Sequence, residues 1–185
     1  MNPRNLALIV ILILSQITSL SAADDWKETL EKELPRLGHR NWIAVVDAAY
    51  PLQTSPGVEM ICTNADQLSV VRDVLASLAS TKRVQPTVYT DTELNFVAEP
   101  SAPGITAYRE ALKKLLANQP NAILPHEQII AKLDEAGKAF KVLLIKTPLT
   151  LPYTSVFLQL ECGYWNTEKE KSLRAAMKTG APKKR

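Results

Sequence analysis

The sequence predicts an α/β fold with a mostly parallel sheet, on three observations. Short segments bounded by turn residues read as strands, the mostly apolar run Trp42–Val46 as a buried one and Val58–Cys62, Val84–Tyr89 and Val142–Ile145 as others. Between them lie longer segments whose apolar residues recur at three- and four-residue steps, the spacing of one helix face. The two kinds of segment alternate along the chain, and that order builds a sheet covered by helices. At 185 residues, 46% apolar and 22% charged, the chain is long enough for one domain with a proper core. It contains no internal repeat and no low-complexity segment.

Each element has a local reason. Asp24-Asp25 can cap a helix running through Leu37, with Trp26, Leu30, Leu34 and Leu37 on one face. Pro35 stops or bends that helix near its end, and Gly38 suits the C-terminal position with positive φ. Trp42–Val46 is the first strand. Tyr50-Pro51 opens a loop containing Thr54, Ser55, Pro56 and Gly57, all turn formers, before the second strand at Val58–Cys62. Asn64-Ala65-Asp66 offers capping side chains to a helix reaching about Ser80, striped by Leu68, Val71, Leu75 and Leu78. Val84–Tyr89 is the third strand. The polar loop Thr90–Pro103 is long enough to act as a lid or an oligomer contact. Ile105–Leu116 is helical, with Ile105, Tyr108, Leu112 and Leu115 facing the core, and Asn118–Asn121 is a turn.

Ile123-Leu124 form a short strand. Pro125-His126-Glu127 then starts a helix to Ala139, where the N–H that proline lacks has no helical partner in any case. Val142–Ile145 is the next strand, Thr147–Pro152 a loop and Ser155–Leu160 the last strand. Thr167-Glu168-Lys169-Glu170 matches a capping box that opens a short C-terminal helix.

Residues 1–23 read as a secretory signal. Arg4 makes a positive start, Leu6–Leu14 an apolar core, and Ser21-Ala22-Ala23 a small-residue cleavage site. The apolar run is shorter than the roughly 20 residues that span a bilayer. This predicts an exported protein, periplasmic or secreted, free of the membrane once cleaved. Residues 24–165 then form the domain, and 166–185 a helix with a basic tail ending Lys183-Lys184-Arg185. With 22 basic and 19 acidic side chains, scattered rather than striped, no electrostatic footprint for nucleic acid is present. Cys62 and Cys162 both end apolar runs. Export permits a disulfide between them, and buried free thiols suit the same places. Neither cysteine stands at metal-ligand spacing, and the two histidines, His39 and His126, lie far apart, so no metal site is expected.

Chemistry concentrates around Leu37–Pro51. A turn carrying His39 leads into the first strand, and Asp47 closes it. Histidine is the side chain whose free pKa lies near neutrality, able to give and take protons at working pH. A parallel α/β sheet collects reactive groups outside the carboxyl ends of its strands, where Asp47 is expected. Placing the imidazole beside that carboxylate predicts acid–base work.

Leu37-Gly38-His39, Asp47-Ala48 and Pro152-Tyr153-Thr154-Ser155, in that order, resemble the RbsD/FucU family of D-ribose pyranases and L-fucose mutarotases. The resemblance runs from about residue 27 to 162. It implies a three-layer α/β/α domain, ring-shaped homo-oligomers with sites at subunit contacts, and cofactor-free interconversion of a monosaccharide's ring forms or anomers. It makes His39 the acid–base residue and has Asp47 touching it or the sugar. His126, in a His-Glu-Gln run like that of the ribose branch, Tyr153 and Ser155 become substrate-binding residues. Three departures stand out. Ser155 replaces an asparagine, Ile130 replaces a basic residue of the ribose branch, and Lys146-Thr147-Pro148 stands where Thr-Gly-Glu is usual.

These residue types suit the reaction. Opening a hemiacetal takes a proton from the anomeric hydroxyl while another reaches the ring oxygen. One group of near-neutral pKa can assist both steps, by roughly 10²–10⁴-fold. Tyr153 offers a donor, an acceptor and a flat apolar face. No Gly-rich phosphate loop is present, and no cofactor is expected. Each residue also has a plainer role open to it. His39 can favour a helix dipole, Asp47 can cap a turn, His126 can be an early-helix surface residue, Tyr153 can simply pack, and Ser155 can merely start a strand. The same fold also admits a non-catalytic sugar-binding module, or a scaffold that meets a partner through 166–185. Trp26, Trp42 and Trp165 are expected in the core or a subunit contact, and a carbohydrate platform requires one of them to be exposed.

Overall fold

A computed structural model describes residues 25–180. The signal read over 1–23 and the tail Lys183-Lys184-Arg185 lie outside the described residues. The strands are β1 (Trp42–Val46), β2 (Val58–Cys62), β3 (Val84–Asp91), β4 (Asn121–Leu124), β5 (Val142–Lys146) and β6 (Val156–Cys162), and the helices are α1 (Asp25–Glu33), α2 (Gln67–Ala79), α3 (Ile105–Leu115), α4 (His126–Ala139) and α5 (Thr167–Thr179).

The strands form one six-stranded sheet in the order β2-β5-β1-β6-β3-β4. β5 is parallel to both β1 and β2, and β3 is parallel to β4. β6 alone runs against the rest, between β1 and β3. The mostly parallel α/β sheet expected from the sequence is therefore present. Central strands of such sheets are covered on both faces and read as unbroken apolar runs. β1 follows the rule, with all five of its residues buried.

The sheet divides the core in two. On one face Ile43, Val45, Leu143 and Leu158 pack with Leu30 of α1, Val74 and Leu78 of α2, and Ile105 and Leu112 of α3. On the other, Trp42, Ala44, Leu144 and Phe157 meet Ile129, Leu133 and Ala136 of α4. Burial of each large aliphatic contributes about 1.5–3 kcal/mol, which makes these two layers the main source of stability. Close approach places glycine at one seam. Gly57 N–H donates to Gly137 O at 3.0 Å, and a β-carbon on Gly57 would collide with the Phe140 carbonyl.

Several boundaries differ from expectation for local reasons. α1 ends at Glu33, and Leu34–Arg36 tighten into a 3-10 turn around Pro35, which has no N–H to continue the α-helix. The left-handed residue after it is Arg40 (φ 75°), not Gly38, because Gly38–Asn41 closes a four-residue turn in which Asn41 N–H donates to Gly38 O. β3 extends to Asp91, and a 3-10 turn at Thr92–Asn95 occupies part of the predicted loop. Glu99 then accepts from Gly104 N–H and Thr106 N–H at the start of α3, which holds its carboxyl below the usual range. β6 begins at Val156, one residue after Ser155.

The predicted capping box of the last helix does not form. Asn166 is the N-cap, accepting from Lys169 N–H at 2.9 Å, and Glu170 receives Trp165 Nε1 and Arg174 instead. Cys62 and Cys162 are free and end strands of opposite direction, so they stand at opposite ends of the sheet. Cys62 is exposed. Trp26 and Trp42 are core residues, whereas Trp165 is 43% exposed.

Candidate active site at the carboxyl ends of the strands

Sheet register assembles the site. Val156, the first residue of β6, pairs with Val45 of β1 on one side and Thr90 of β3 on the other. One step further along, Ser155 falls between the ends of β1 and β3, where Asp47 and Asp91 leave the sheet. Ser155 Oγ donates to Asp47 Oδ2 at 2.9 Å, and Asp47 N–H points back to Ser155 Oγ at 3.3 Å. Asp47 also accepts from Ala49 N–H at 2.8 Å, so it closes a turn as well as facing the cluster.

The segment that delivers Ser155 is held from beneath by a buried network. Gln67 Nε2 donates to Thr154 O at 2.6 Å and to Tyr108 Oη at 2.9 Å, while Tyr108 Oη donates to the same carbonyl at 2.8 Å. Gln67 Oε1 accepts from Thr147 Oγ1 at 2.7 Å. Tyr108 titrates well above its ordinary range because burial disfavours the phenolate, so it remains a donor. On this base Tyr153 adopts φ 57°, a left-handed conformation that bulky residues rarely take and that concentrates at functional sites. Its ring stands edge-on to His126, centroids 5.6 Å apart.

His126 opens α4. Its N–H donates to both carboxylate oxygens of Glu93, at 3.0 and 3.1 Å, which satisfies an otherwise orphaned helix N-terminal donor. Its ring Nδ1 lies 3.1 Å from Asp91 Oδ2. Asp91 is 1% exposed, and its other oxygen, Oδ1, is buried with no hydrogen-bond partner among the described residues. Burial pushes the Asp91 carboxyl up from 3.8 to about 6, helped by the neighbouring Glu93 and Asp47 and opposed by His126. Tyr50, whose N–H donates to Asp47 O, is pushed up to about 12 by burial and the nearby carboxylates, foremost Asp134, so it stays neutral.

The structure thus unites four of the five residues singled out in the sequence, Asp47, His126, Tyr153 and Ser155, and leaves out His39. β1 separates His39 from Asp47, and a five-residue strand covers about 17 Å. His39 Nε2 lies 3.4 Å from Glu161 Oε2 on the far side, half-exposed in an open cleft of about 840 Å³ shared with Trp165 and Arg174. The expected imidazole–carboxylate pair of His39 and Asp47 does not form within one chain, because the two residues flank the strand. The pair that does form is His126–Asp91. Sequence reasoning missed Asp91, which ends β3 but follows a run broken by Gln85, Pro86 and Thr87, so it lacks the all-apolar approach that marked Asp47. Ile130 packs on the α4 core. Phe96 and Val97 line a shallow apolar groove with Tyr153 beside the cluster, and Phe96 is 80% exposed.

Comparison with known proteins agrees with this architecture. The RbsD / FucU transport protein family matches residues 27–162. The structure of Bacillus subtilis RbsD complexed with D-ribose is similar, with TM-score 0.52 and 22% identity, over 75% of this chain and 93% of that chain. FucU from Bifidobacterium longum follows with TM-score 0.47 and 16% identity, over 71% and 92%. The fucose mutarotase of Streptococcus pneumoniae in complex with L-fucose has TM-score 0.46 and 19% identity, over 71% and 89%. No curated protein matches the chain. With most of its length matched in sequence and the same sheet-and-helix architecture as RbsD, the chain belongs to the RbsD/FucU family.

Proposed function

We propose that this protein is an exported monosaccharide mutarotase, acting on a ribose- or fucose-like sugar by cofactor-free acid–base catalysis. The observation that carries the reading is a partly exposed His126 held against the buried Asp91 carboxyl, beside Tyr153 and the Asp47–Ser155 pair. The anomeric hydroxyl gives its proton to a base, the bond between C1 and the ring oxygen breaks, and that oxygen takes up a proton. The open aldehyde rotates and the steps reverse, so the product is an isomer and no atom is gained or lost. His126 can accept the first proton. Asp47 and Tyr153 can hold sugar hydroxyls, and the exposed faces of Phe96 and Tyr153 suit a sugar's apolar side.

His39 enters this scheme through a neighbour. In the ring-shaped homo-oligomer implied by the resemblance, the half-exposed His39 of one copy reaches the strand-end site of the next. Saturation-transfer NMR on D-ribose and L-fucose tests the activity, and wild type is expected to speed exchange between anomers or ring forms. His39→Ala and His126→Ala are each expected to abolish the acceleration, and mixed oligomers of the two variants to recover part of it. Absence of recovery removes the shared-site reading.

One observation favours a second reading, a sugar-binding protein without turnover. The Ser155 hydroxyl that stands in for the family's amide is already engaged by Asp47. Saturable sugar binding with no acceleration of exchange would establish it.

A further inference from the structure

We propose that Asp91 is a positioning residue: its buried carboxylate holds the His126 imidazole with Nδ1 protonated, leaving Nε2 as the proton acceptor presented to the strand-end site. This deepens the mutarotase reading and rests on it for its catalytic meaning, but the tautomer assignment stands on geometry alone.

Four observations carry it. The Asp91 Oδ2–His126 Nδ1 separation of 3.1 Å is a hydrogen bond, and an ionised carboxylate can only accept, so the proton belongs to Nδ1. A neutral imidazole protonated at Nδ1 keeps its lone pair on Nε2. The two partners also differ in burial. The Asp91 side chain is inaccessible whereas about a third of the His126 side chain is exposed, so Nδ1 faces the interior and the ring presents its other edge outward. The ring is then held from three elements. Asp91 at the end of β3 fixes Nδ1, Glu93 in the following 3-10 turn fixes the backbone N–H, and Tyr153 from the β5–β6 connection stands edge-on to the ring. The other groups that act on the pair are the carboxylates of Glu93 and Asp47, which cannot donate to Asp91, and the neutral Tyr50 phenol, which accepts from Gln53.

The fourth observation concerns energy. Asp91 Oδ1 is buried without a hydrogen-bond partner among the described residues, and a buried carboxylate using half of its acceptor capacity is a poor stabilising element. What such a carboxylate does supply is a fixed acceptor for its neighbour. Its neighbour here is one of only two histidines in the chain, and the other stands at the opposite end of β1.

The two-histidine sequence makes the test direct. In the full chain carrying ¹⁵N-histidine, His39→Gln leaves His126 as the single imidazole, and long-range ¹⁵N–¹H correlation at pH 8 reads its tautomer. The Nδ1–H form is expected in the otherwise wild-type chain. Asp91→Ala is expected to release His126 to the Nε2–H form, whereas Asp91→Asn, whose amide oxygen accepts the same bond, is expected to keep Nδ1–H. With His39 restored, exchange of D-ribose or L-fucose is expected to fall roughly tenfold or more in Asp91→Ala and to recover in part in Asp91→Asn. An Nε2–H tautomer with Asp91 intact, or an unchanged tautomer in a folded Asp91→Ala chain, overturns the proposal. If Asp91→Ala does not fold, the tautomers of the Asp91-intact chain and of Asp91→Asn decide it. If the tautomers follow expectation but wild type exchanges no sugar, the positioning role stands and the mutarotase reading falls.

Discussion

The two ends of β1 put histidine and carboxylate side chains to opposite uses. At the amino end, His39 and Glu161 meet at 3.4 Å in an open cleft, with side chains 54% and 35% exposed. Water screens such a pair, and exposed ion pairs of this kind contribute about 0–1 kcal/mol. At the carboxyl end, His126 meets an Asp91 withdrawn from solvent, and Asp47, Ser155, Tyr153 and Glu93 each have dedicated partners. There the local dielectric is low, so one proton more or less changes the energy of the whole cluster. The same residue types therefore yield a weak surface contact at one end and a shielded cluster with dedicated partners at the other.

The largest effect expected from disturbing this contrast lies beneath the carboxyl end. Gln67→Ala removes three buried hydrogen bonds at once, to Thr154 O, to Tyr108 Oη and from Thr147 Oγ1, and urea unfolding should show a loss of about 3–4 kcal/mol. A loss below about 1 kcal/mol would mean that the segment carrying Tyr153 and Ser155 is held by something else. Asp91→Asn should act with the opposite sign. With its carboxyl raised from 3.8 to about 6, folded Asp91 binds a proton that the unfolded chain has already released between those values. Wild-type stability from this group is full below pH 4, falls as pH rises toward 6, and by pH 7 is lower by about 3 kcal/mol. Asp91→Asn removes that dependence, so its advantage over wild type should be absent at pH 4 and reach up to about 3 kcal/mol at pH 7.5. A difference that stays flat with pH would place the group in a wetter environment.

Ser155→Ala removes the hydroxyl bonded to Asp47 and should cost about 1–2 kcal/mol. His39→Ala, at the amino end, should shift the unfolding midpoint least, by no more than about 0.5 kcal/mol. A larger loss from His39→Ala than from Ser155→Ala would reverse the contrast between the two ends.

How legible each part was follows from the range of the forces that make it. Trp42–Val46 coincides with its predicted bounds because an unbroken apolar run between turn residues has few other uses, and Val58–Cys62, interrupted by Glu59, coincides with its own through the turn formers that precede it. The helix ends were less legible. Pro35 acts through one missing N–H and Asn166 through one hydrogen bond, from Lys169 N–H, which starts the helix one residue ahead of the Thr167 capping box. Asp47, His126, Tyr153 and Ser155 were visible as strand-end and loop residues with chemical capacity. Asp91 was not, because it sat at the start of a segment read as loop, and its partner lies 35 positions away. His39 and Asp47 stand eight positions apart along the chain, and the extended strand between them turns those positions into distance, so within one chain the two lie at opposite ends of β1.

By itself the sequence determined the α/β alternation, the family and the side chains available for proton transfer, since hydrophobic period, turn chemistry and motif order are all local along the chain. Tertiary structure alone decided which histidine meets which carboxylate. That choice depends on β6 entering antiparallel between β1 and β3, which sets Ser155 between Asp47 and Asp91 and brings the start of α4 over the end of β3. A hydrogen bond reaches about 3 Å, and no pattern along the chain carries information at that resolution across so many residues.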